Sequence, residues 1–188
     1  MIAHGLSSLA AAFVERAASV GTQTHPARRA GAPRLIVQLV AGERASRVAL
    51  DTDTRARLPE STSALAAARR AVLPPDAAPS QLADADAGVS WAAFGVAETG
   101  SVALAARATS DRLVGMLPPL HVVLLAQSQI VPDLDAAAAR LRDWTAGGAR
   151  QPYVSLVTGA SRTSDIERVL TIGVHGPRVQ HVLLLTDE

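Results

Sequence analysis

Apolar residues recur every three or four positions in four segments of the chain, and this spacing predicts helices. The clearest segment is 5–20, where leucine, phenylalanine and alanine side chains fall on one helical face. The same spacing predicts helices over 61–73, over 132–144 and over 164–172. Prolines directly after the second helix and glycines shortly after the third are expected to end them.

Short and nearly continuous aliphatic runs predict buried β-strands between these helices. The runs lie at 34–40, 88–96, 101–107, 120–126, 153–157 and 181–186. Four residues, 97–100, join the second run to the third and predict a hairpin turn, so these two strands are expected to be antiparallel. The last three runs alternate with helices, which is typical of parallel strands.

The order of these elements predicts an α/β protein with an open, mostly parallel sheet and helices on both faces. One domain over 34–188 is expected, because neither side of the proline-rich segment 74–87 is a complete domain by itself. Residues 1–33 are interpreted as an N-terminal helical arm, and the alternative is a helix docked on the same domain. In such sheets ligands bind beyond the carboxyl ends of the strands.

The composition excludes several kinds of chemistry. The 188 residues include no cysteine and no lysine, so all 18 basic residues are arginine. Without cysteine the chain forms no disulfide and holds no iron–sulfur cluster or thiolate zinc. Without lysine it has neither a Schiff-base nucleophile nor a P-loop. The five histidines are scattered, so no metal or cofactor is expected in this chain.

The charge and hydropathy patterns bear on partners and location. The formal net charge is +1, and no arginine-rich run is interleaved with aromatic residues, so nucleic acid is not an expected partner. The longest apolar runs have about eight residues, whereas a membrane span needs roughly 20. The N-terminus lacks the cationic start of a signal peptide. A cytoplasmic protein without membrane contact is therefore expected.

The segment 158–167 follows a predicted strand and begins a predicted helix. Ser161, Arg162 and Thr163 offer hydroxyls and a guanidinium at this junction. The start of a helix with such side chains suits an anion, such as phosphate or carboxylate. The alternative is a well-capped junction that binds nothing.

Three further residues carry candidate chemistry. Glu98 lies in the predicted hairpin turn. Its carboxylate is a candidate nucleophile, base or hydrogen-bond acceptor, and the alternative is an exposed turn residue without a functional role. His175 precedes Gly176 and Pro177 in a short loop, as a base, a ligand donor or a structural capping group. His121 lies at a strand start, which is usually the end away from the active face, so catalysis by it is not favoured.

Four short motifs follow one another in the second half of the chain. They are AETG at 97–100, LPPLH at 117–121, TGASRTSDIE at 158–167 and GVHGP at 173–177. In this order they resemble the lactate-utilisation protein C family, whose shared module is the LUD domain. The resemblance runs from about residue 34 to 188 and rests mainly on the last two motifs, which are specific in combination.

The resemblance implies an open α/β fold similar to that of sugar-phosphate isomerases and CoA transferases. It also implies a role in oxidising L-lactate to pyruvate beside partner subunits that carry iron–sulfur clusters. Within the signature, the loop positions favour catalytic roles for Glu98 and His175. The other signature positions are expected to bind a ligand: Thr99, Gly100, Ser161, Arg162, Thr163, Asp165 and Gly176.

Three functions stay open on this basis. The first is a subunit of a lactate-oxidising system that holds no cluster and binds a small carboxylate or partner proteins through 158–176. The second is an isomerase or acyl-CoA transferase for a phosphorylated or CoA substrate, with Glu98 as nucleophile or base and Arg162 holding the anion. The third is an assembly or regulatory module without catalysis.

Overall fold

The computed structural model of the chain describes residues 6–146, 153–164, 170–172 and 176–188. The helices within these ranges are α1 (Ser8–Ser19), α2 (Ala32–Gly42), α3 (Thr52–Arg57), α4 (Glu60–Ala67), α5 (Pro79–Ala83), α6 (Thr109–Val114) and α7 (Leu134–Ala146). The strands are β1 (Gln23–Ala27), β2 (Arg47–Leu50), β3 (Ala71–Val72), β4 (Ala87–Val96), β5 (Ser101–Ala106), β6 (Leu120–Ala126), β7 (Ile130–Val131), β8 (Tyr153–Val157), β9 (Arg162–Ser164), β10 (Leu170–Ile172) and β11 (Val179–Leu185).

The main sheet consists of six parallel strands in the order β1-β11-β6-β4-β2-β3. β4 is longer than its neighbours, and its pairing shifts between Ala92 and Phe94. Beyond this irregularity β4 pairs with β7 in parallel and with β5 in antiparallel, and β5 pairs in turn with β8. The predicted α/β class with a mostly parallel sheet is confirmed, and the turn 97–100 joins two antiparallel strands as expected.

Helices cover both faces of the parallel sheet, as predicted. On one face Ile36 of α2 and Leu65 of α4 are fully buried against the apolar side chains of β4, β6 and β11. On the other face Phe13 of α1 is fully buried against Leu125 and Leu184. Burying a side chain of this size contributes roughly 1.5–3 kcal/mol relative to leaving it exposed.

The N-terminal segment belongs to the same sheet and core, which corrects the interpretation of residues 1–33 as an arm. β1 pairs along its whole length with β11. Just before β1, the buried hydroxyl of Thr22 donates to the side chain of Gln180 at 2.8 Å. Within residues 6–33, α1 is docked on the same domain, as in the alternative, and β1 adds a strand to its sheet.

The run 34–40 forms part of helix α2, so the predicted strand there is wrong. The buried residues of α2 are Ala32, Ile36 and Val40, which recur every four positions. Pro33 lies in the first helical turn, where a missing N–H costs nothing. A continuous aliphatic run fits the hydrophobic periods of both helix and strand. Here the segment is a helix, because the residues four positions apart are the ones buried against the sheet.

Two further predictions near the C-terminus need correction. Strand 153–157 lies in the antiparallel part of the sheet beside β5, not among the parallel strands. The expected helix 164–172 is also wrong where the chain is described, because Arg162–Ser164 and Leu170–Ile172 pair as antiparallel strands. Residues 165–169 lie outside the described ranges.

The remaining predicted elements lie close to the observed ones. Strand 120–126 has the predicted bounds, and the helix expected over 132–144 begins at Leu134. The helix expected over 61–73 is shorter: it ends at Ala67, and the short strand β3 follows.

Candidate functional site

The direction of the chain across the parallel sheet reverses between β2 and β4. The connection after β2 leads to β3 on one side, whereas β4 leads to β6 and β11 on the other. In open sheets such a reversal leaves a crevice beyond the carboxyl ends of the two strands, where ligands bind. Asp51 follows directly on the carboxyl end of β2.

A cavity of about 230 Å³ lies at this position. Asp51 and Ser90 come from the parallel sheet, one wall comes from β5 and β8, and the other comes from α6 and the residues that follow it. The lining residues are Asp51, Ser90, Leu104, Ala105, Ala106, Asp111, Arg112, Gly115, Met116, Tyr153, Ser155 and Val157. Small-molecule pockets typically measure about 300–1,000 Å³, so this cavity suits a ligand of few atoms.

The carboxyl group of Asp51 is 8% exposed and is fixed by two backbone amides. Its Oδ1 accepts from the N–H of Thr54 at 2.7 Å, which caps α3, and its Oδ2 accepts from the N–H of Trp91 at 3.0 Å. Burial raises the pKa of Asp51 to about 6, against the opposing effect of these hydrogen bonds, and the nearby Asp111 carboxylate adds to the rise. This group therefore changes charge near pH 6.

The hydroxyl of Ser90 is held by a buried histidine. Its Oγ lies 3.1 Å from Nε2 of His121, which is fully buried at the start of β6. Burial lowers the pKa of His121 to about 4, so the imidazole is neutral at physiological pH. Its Nδ1 has no hydrogen-bond partner among the described residues. The histidine that sequence reasoning disfavoured thus orients a hydroxyl of the cavity.

A positively charged side chain, that of Arg112, lies at the outer part of the cavity. The guanidinium of Arg112 lies over the ring of Tyr153, 4.1 Å from its centroid, and both residues are exposed. This contact holds the charge at the rim. Asp111 lies beside it as the capping group of α6 and accepts from the backbone N–H groups of Arg107 and Ala108, both at 3.1 Å.

The predicted residues of the turn 97–100 lie in a different place. The Oε2 of Glu98 accepts from the N–H of Leu134 at 3.0 Å, at the start of α7, and Glu98 lines a shallow groove along α1. The hydroxyl of Thr99 is 2.7 Å from that of Ser101, which in turn is 2.6 Å from Thr158. The turn and the loop after β8 are therefore joined by a chain of hydroxyls.

Gly100 packs directly against the backbone of α1. It has a φ of +68°, and a Cβ there would lie 2.4 Å from the backbone nitrogen of Ala17. Glycine is therefore required for this close approach.

The described part of the segment 158–178 lies at the amino ends of β1, β6 and β11, not at the carboxyl ends as expected. The N–H of Ser161 donates to the carbonyl of Pro177 at 2.8 Å, close to the start of β11. The guanidinium of Arg162 donates to the carbonyl of Val20 at 2.8 Å, close to the start of β1. Gly176 packs on Ser161, since a Cβ at this glycine would lie 3.1 Å from that of the serine.

Some predicted site residues lie beyond what the structure describes. Asp165 and His175 are outside the described ranges, and Thr163 is described only as part of β9. Glu98 lies in the groove along α1, while Arg162 contacts the carbonyl just after that helix. Their catalytic and ligand-binding roles stay predictions.

Sequence reasoning predicted none of the residues that line the cavity, among them Asp51, Ser90, Asp111 and Arg112. The available signal was the short apolar run of β2 followed by Asp51, which has the spacing of a helix N-cap toward Thr54. In the described part of the chain, no cluster of three metal-ligating side chains occurs. The helices described there are all too short or too polar to span a bilayer.

The fold and cavity define an open α/β protein with a small cavity, lined by apolar and a few polar side chains, at a switch point of its sheet. The family model of the LUD domain matches residues 10–185, and the chain belongs to this family. It is similar to Lactate utilization protein C of Geobacillus thermodenitrificans, with 33% identity over 104 residues, which cover 55% of this chain and 43% of the relative. It is also similar to the Uncharacterized protein YkgG of Escherichia coli, with 34% identity over 110 residues, which cover 58% and 47%.

The matched segments span less than half of these curated relatives. Among solved structures, a DUF162 family protein from Deinococcus radiodurans has the same fold, with a TM-score of 0.60 and 23% identity. The similarity covers 94% of this chain and 96% of that one.

Proposed function

We propose that this chain serves lactate utilisation by binding a small carboxylate, L-lactate or pyruvate, in the cavity at the carboxyl end of β2. The names of its relatives support the process, because several of them are Lactate utilization protein C. The position of the cavity at the switch point of the sheet supports this location for the carboxylate-binding site.

The observation that carries the proposal is the combination of a few polar and charged groups with apolar side chains in the lining of this small cavity. Arg112 supplies a guanidinium at the rim, and guanidinium groups bind carboxylates through paired hydrogen bonds. Ser90 and Ser155 supply hydroxyls that suit the hydroxyl or carbonyl oxygen next to that carboxylate. Leu104 and Val157 give an apolar wall for the methyl group.

The electrons of lactate oxidation require a second protein in this proposal. Conversion of L-lactate to pyruvate releases two electrons, and a chain without cysteine holds no iron–sulfur cluster. Partner subunits with iron–sulfur clusters would accept these electrons in the cytoplasm, and this chain would present or position the substrate. Deletion of the gene is expected to abolish growth on L-lactate, and the tagged chain is expected to co-purify with cluster-bearing proteins.

A binding measurement tests the site directly. Isothermal titration of the purified chain with L-lactate and with pyruvate is expected to show binding, which Arg112→Leu weakens by about tenfold or more, since charged hydrogen bonds contribute roughly 1.5–3 kcal/mol. Arg34→Leu is the matched control, because Arg34 is an exposed residue of α2 on the opposite face of the sheet. Unchanged affinity in Arg112→Leu, or no binding by the unmodified chain, contradicts the proposal.

The isomerase or acyl-CoA transferase alternative needs Glu98 as nucleophile or base and Arg162 as anion holder. One oxygen of Glu98 already accepts from Leu134, and Arg162 donates to Val20. A screen with phosphosugars and CoA thioesters tests this alternative. Any activity found there that survives Glu98→Gln removes the assignment of Glu98.

A further inference from the structure

We propose that the cavity at the carboxyl end of β2 selects small monocarboxylates with an uncharged polar group and rejects dicarboxylates, because the carboxyl groups of Asp51 and Asp111 line it together with the guanidinium of Arg112. This inference rests on the proposed function and deepens it, since it defines the class of ligand. L-Lactate has one carboxylate and one hydroxyl. L-Malate differs from it by a second carboxylate, which is attached to the carbon that forms the methyl group of lactate.

The burial of the lining residues fixes how a ligand is oriented. Asp51 is 8% exposed and Ser90 is 1% exposed, so they form the inner end. Arg112 and Tyr153 are exposed and form the rim. A carboxylate bound by Arg112 therefore leaves the rest of the ligand pointing toward Asp51 and Ser90.

The two carboxyl groups of the cavity lining are held in place mainly by hydrogen bonds from backbone N–H groups. Asp51 accepts two backbone N–H groups, one at each oxygen. Asp111 accepts from Thr52 at one oxygen and from the N–H groups of Arg107 and Ala108 at the other. Neither side chain can turn away without leaving these donors unpaired, so an incoming second carboxylate meets both charges.

An uncharged group is accommodated at the same place. A ligand hydroxyl can donate to an oxygen of Asp51 or of Ser90, since carboxylate and hydroxyl oxygens accept more than one hydrogen bond. A like-charge contact in a desolvated site is unfavourable, and its cost is expected to lower the affinity at least about tenfold.

The charge that rejects a dicarboxylate depends on pH. The charged and titratable groups that face Asp51 are Asp111 on α6, Arg55 on α3 and Arg112 at the rim, with His121 behind Ser90. Burial raises the pKa of Asp51 to about 6, so its negative charge is present above this pH and lost below it. Discrimination against L-malate is expected to be stronger at pH 7.5 than at pH 5.

The test compares L-lactate and L-malate by isothermal titration at both pH values. For the unmodified chain at pH 7.5, L-malate is expected to bind about tenfold more weakly or worse. Asp51→Asn is expected to reduce this ratio and to weaken its pH dependence; the part that remains reports protonation of the second carboxyl of L-malate itself. Asp76→Asn changes an exposed carboxylate outside the cavity lining. This variant is expected to keep the ratio of the two affinities and its dependence on pH.

The outcomes separate this inference from the proposed function. If neither ligand binds, the proposed function fails, and this inference fails with it. If both bind with equal affinity to the unmodified chain at pH 7.5, the selection of monocarboxylates is wrong while the proposed function stands.

The Asp51→Asn variant needs a check of its folding. Its side-chain amide would still cap α3 through the carbonyl oxygen but would lose the acceptor for the N–H of Trp91. Thermal unfolding of this variant is therefore measured first. The pH comparison on the unmodified chain tests the inference without any substitution, and equal discrimination at pH 5 and pH 7.5 would overturn the role of Asp51.

Discussion

Two polar regions of the molecule differ in what their side chains do. At the carboxyl end of β2, Asp51, Ser90 and Arg112 line a cavity. At the C-terminal end of α1, which leads into β1, Gly100 packs on Ala17 and Arg162 donates to the carbonyl of Val20, while Thr158 contacts Ser101. The second region carries most of the family signature, whereas the first has the concave shape that a ligand needs.

In the described part of the chain, the residues of the sequence signature and those that line the cavity are therefore different residues. Gly100 permits close packing on Ala17, and Arg162 satisfies the carbonyl of Val20 near the C-terminal end of α1. Such contacts explain the residue types through packing alone. Variants in the two regions should therefore separate effects on stability from effects on binding.

The largest expected effect is on stability, in the region around α1. Gly100→Ala adds a Cβ 2.4 Å from the backbone of Ala17 at a φ of +68°. Left-handed backbone costs about 1–2 kcal/mol and overpacking about 1–3 kcal/mol, so a loss of about 3 kcal/mol in the free energy of unfolding is expected. Urea denaturation measures it.

Gly42→Ala is the matched control for this variant. Gly42 ends α2, and a Cβ there would meet no atom within 4 Å. Its stability is expected to stay equal or to rise slightly, because alanine favours the helix by about 0.5–1 kcal/mol. Equal stabilities of the two variants would show that the contact of Gly100 with α1 does not matter.

The intermediate effect concerns the pH dependence of stability in the cavity region. Burial lowers the pKa of His121 and of His181 to about 4, while it raises the pKa of Asp51 to about 6. Between pH 4 and 6 the unfolded chain binds two protons on these histidines that the folded chain lacks, and the folded chain binds one on Asp51. Stability is therefore expected to rise with pH across this range.

Asp51→Asn removes the contribution that opposes this rise. The slope is then expected to steepen by up to about 1.4 kcal/mol per pH unit between pH 4 and 6. Thermal denaturation at closely spaced pH values measures the slope, with Asp76→Asn as the control. Parallel curves for Asp51→Asn and the unmodified chain would mean that Asp51 titrates as it does in the unfolded chain.

The smallest expected effect is that of Arg162→Ala. The guanidinium is exposed and donates to the carbonyl of Val20, so its loss is expected to cost less than about 1 kcal/mol. The affinity for L-lactate is expected to stay the same, in contrast to Arg112→Leu. A loss of affinity in Arg162→Ala would move the binding site to the signature region and would end the contrast between the two regions.

The fold was predictable where local sequence and global packing agree. The run 120–126 forms β6 with the predicted bounds, and the turn 97–100 forms the expected hairpin. The run 34–40 misled because isoleucine, valine and leucine favour strands, although the four-residue spacing of Ile36 and Val40 fitted a helix. β1 escaped prediction because its polar residues give no strand pattern, and its pairing with β11 defines it.

The site was less predictable than the fold, for a physical reason. Asp51, Ser90 and Arg112 come from separate elements, and the reversal of strand order between β2 and β4 brings them together. No short stretch of sequence predicts that reversal of strand order. The signature residues form contiguous motifs and were found for that reason, although the described ones mostly make packing contacts.

The pairing of β1 with β11 has a consequence for synthesis of the protein. Thr22, just before β1, is hydrogen-bonded to Gln180 of β11, and the two residues are 158 positions apart in the sequence. The edge of the sheet at β1 therefore has no partner until β11 has left the ribosome. Contacts of such long sequence separation slow folding, so completion of the sheet is expected only after β11 has been synthesised.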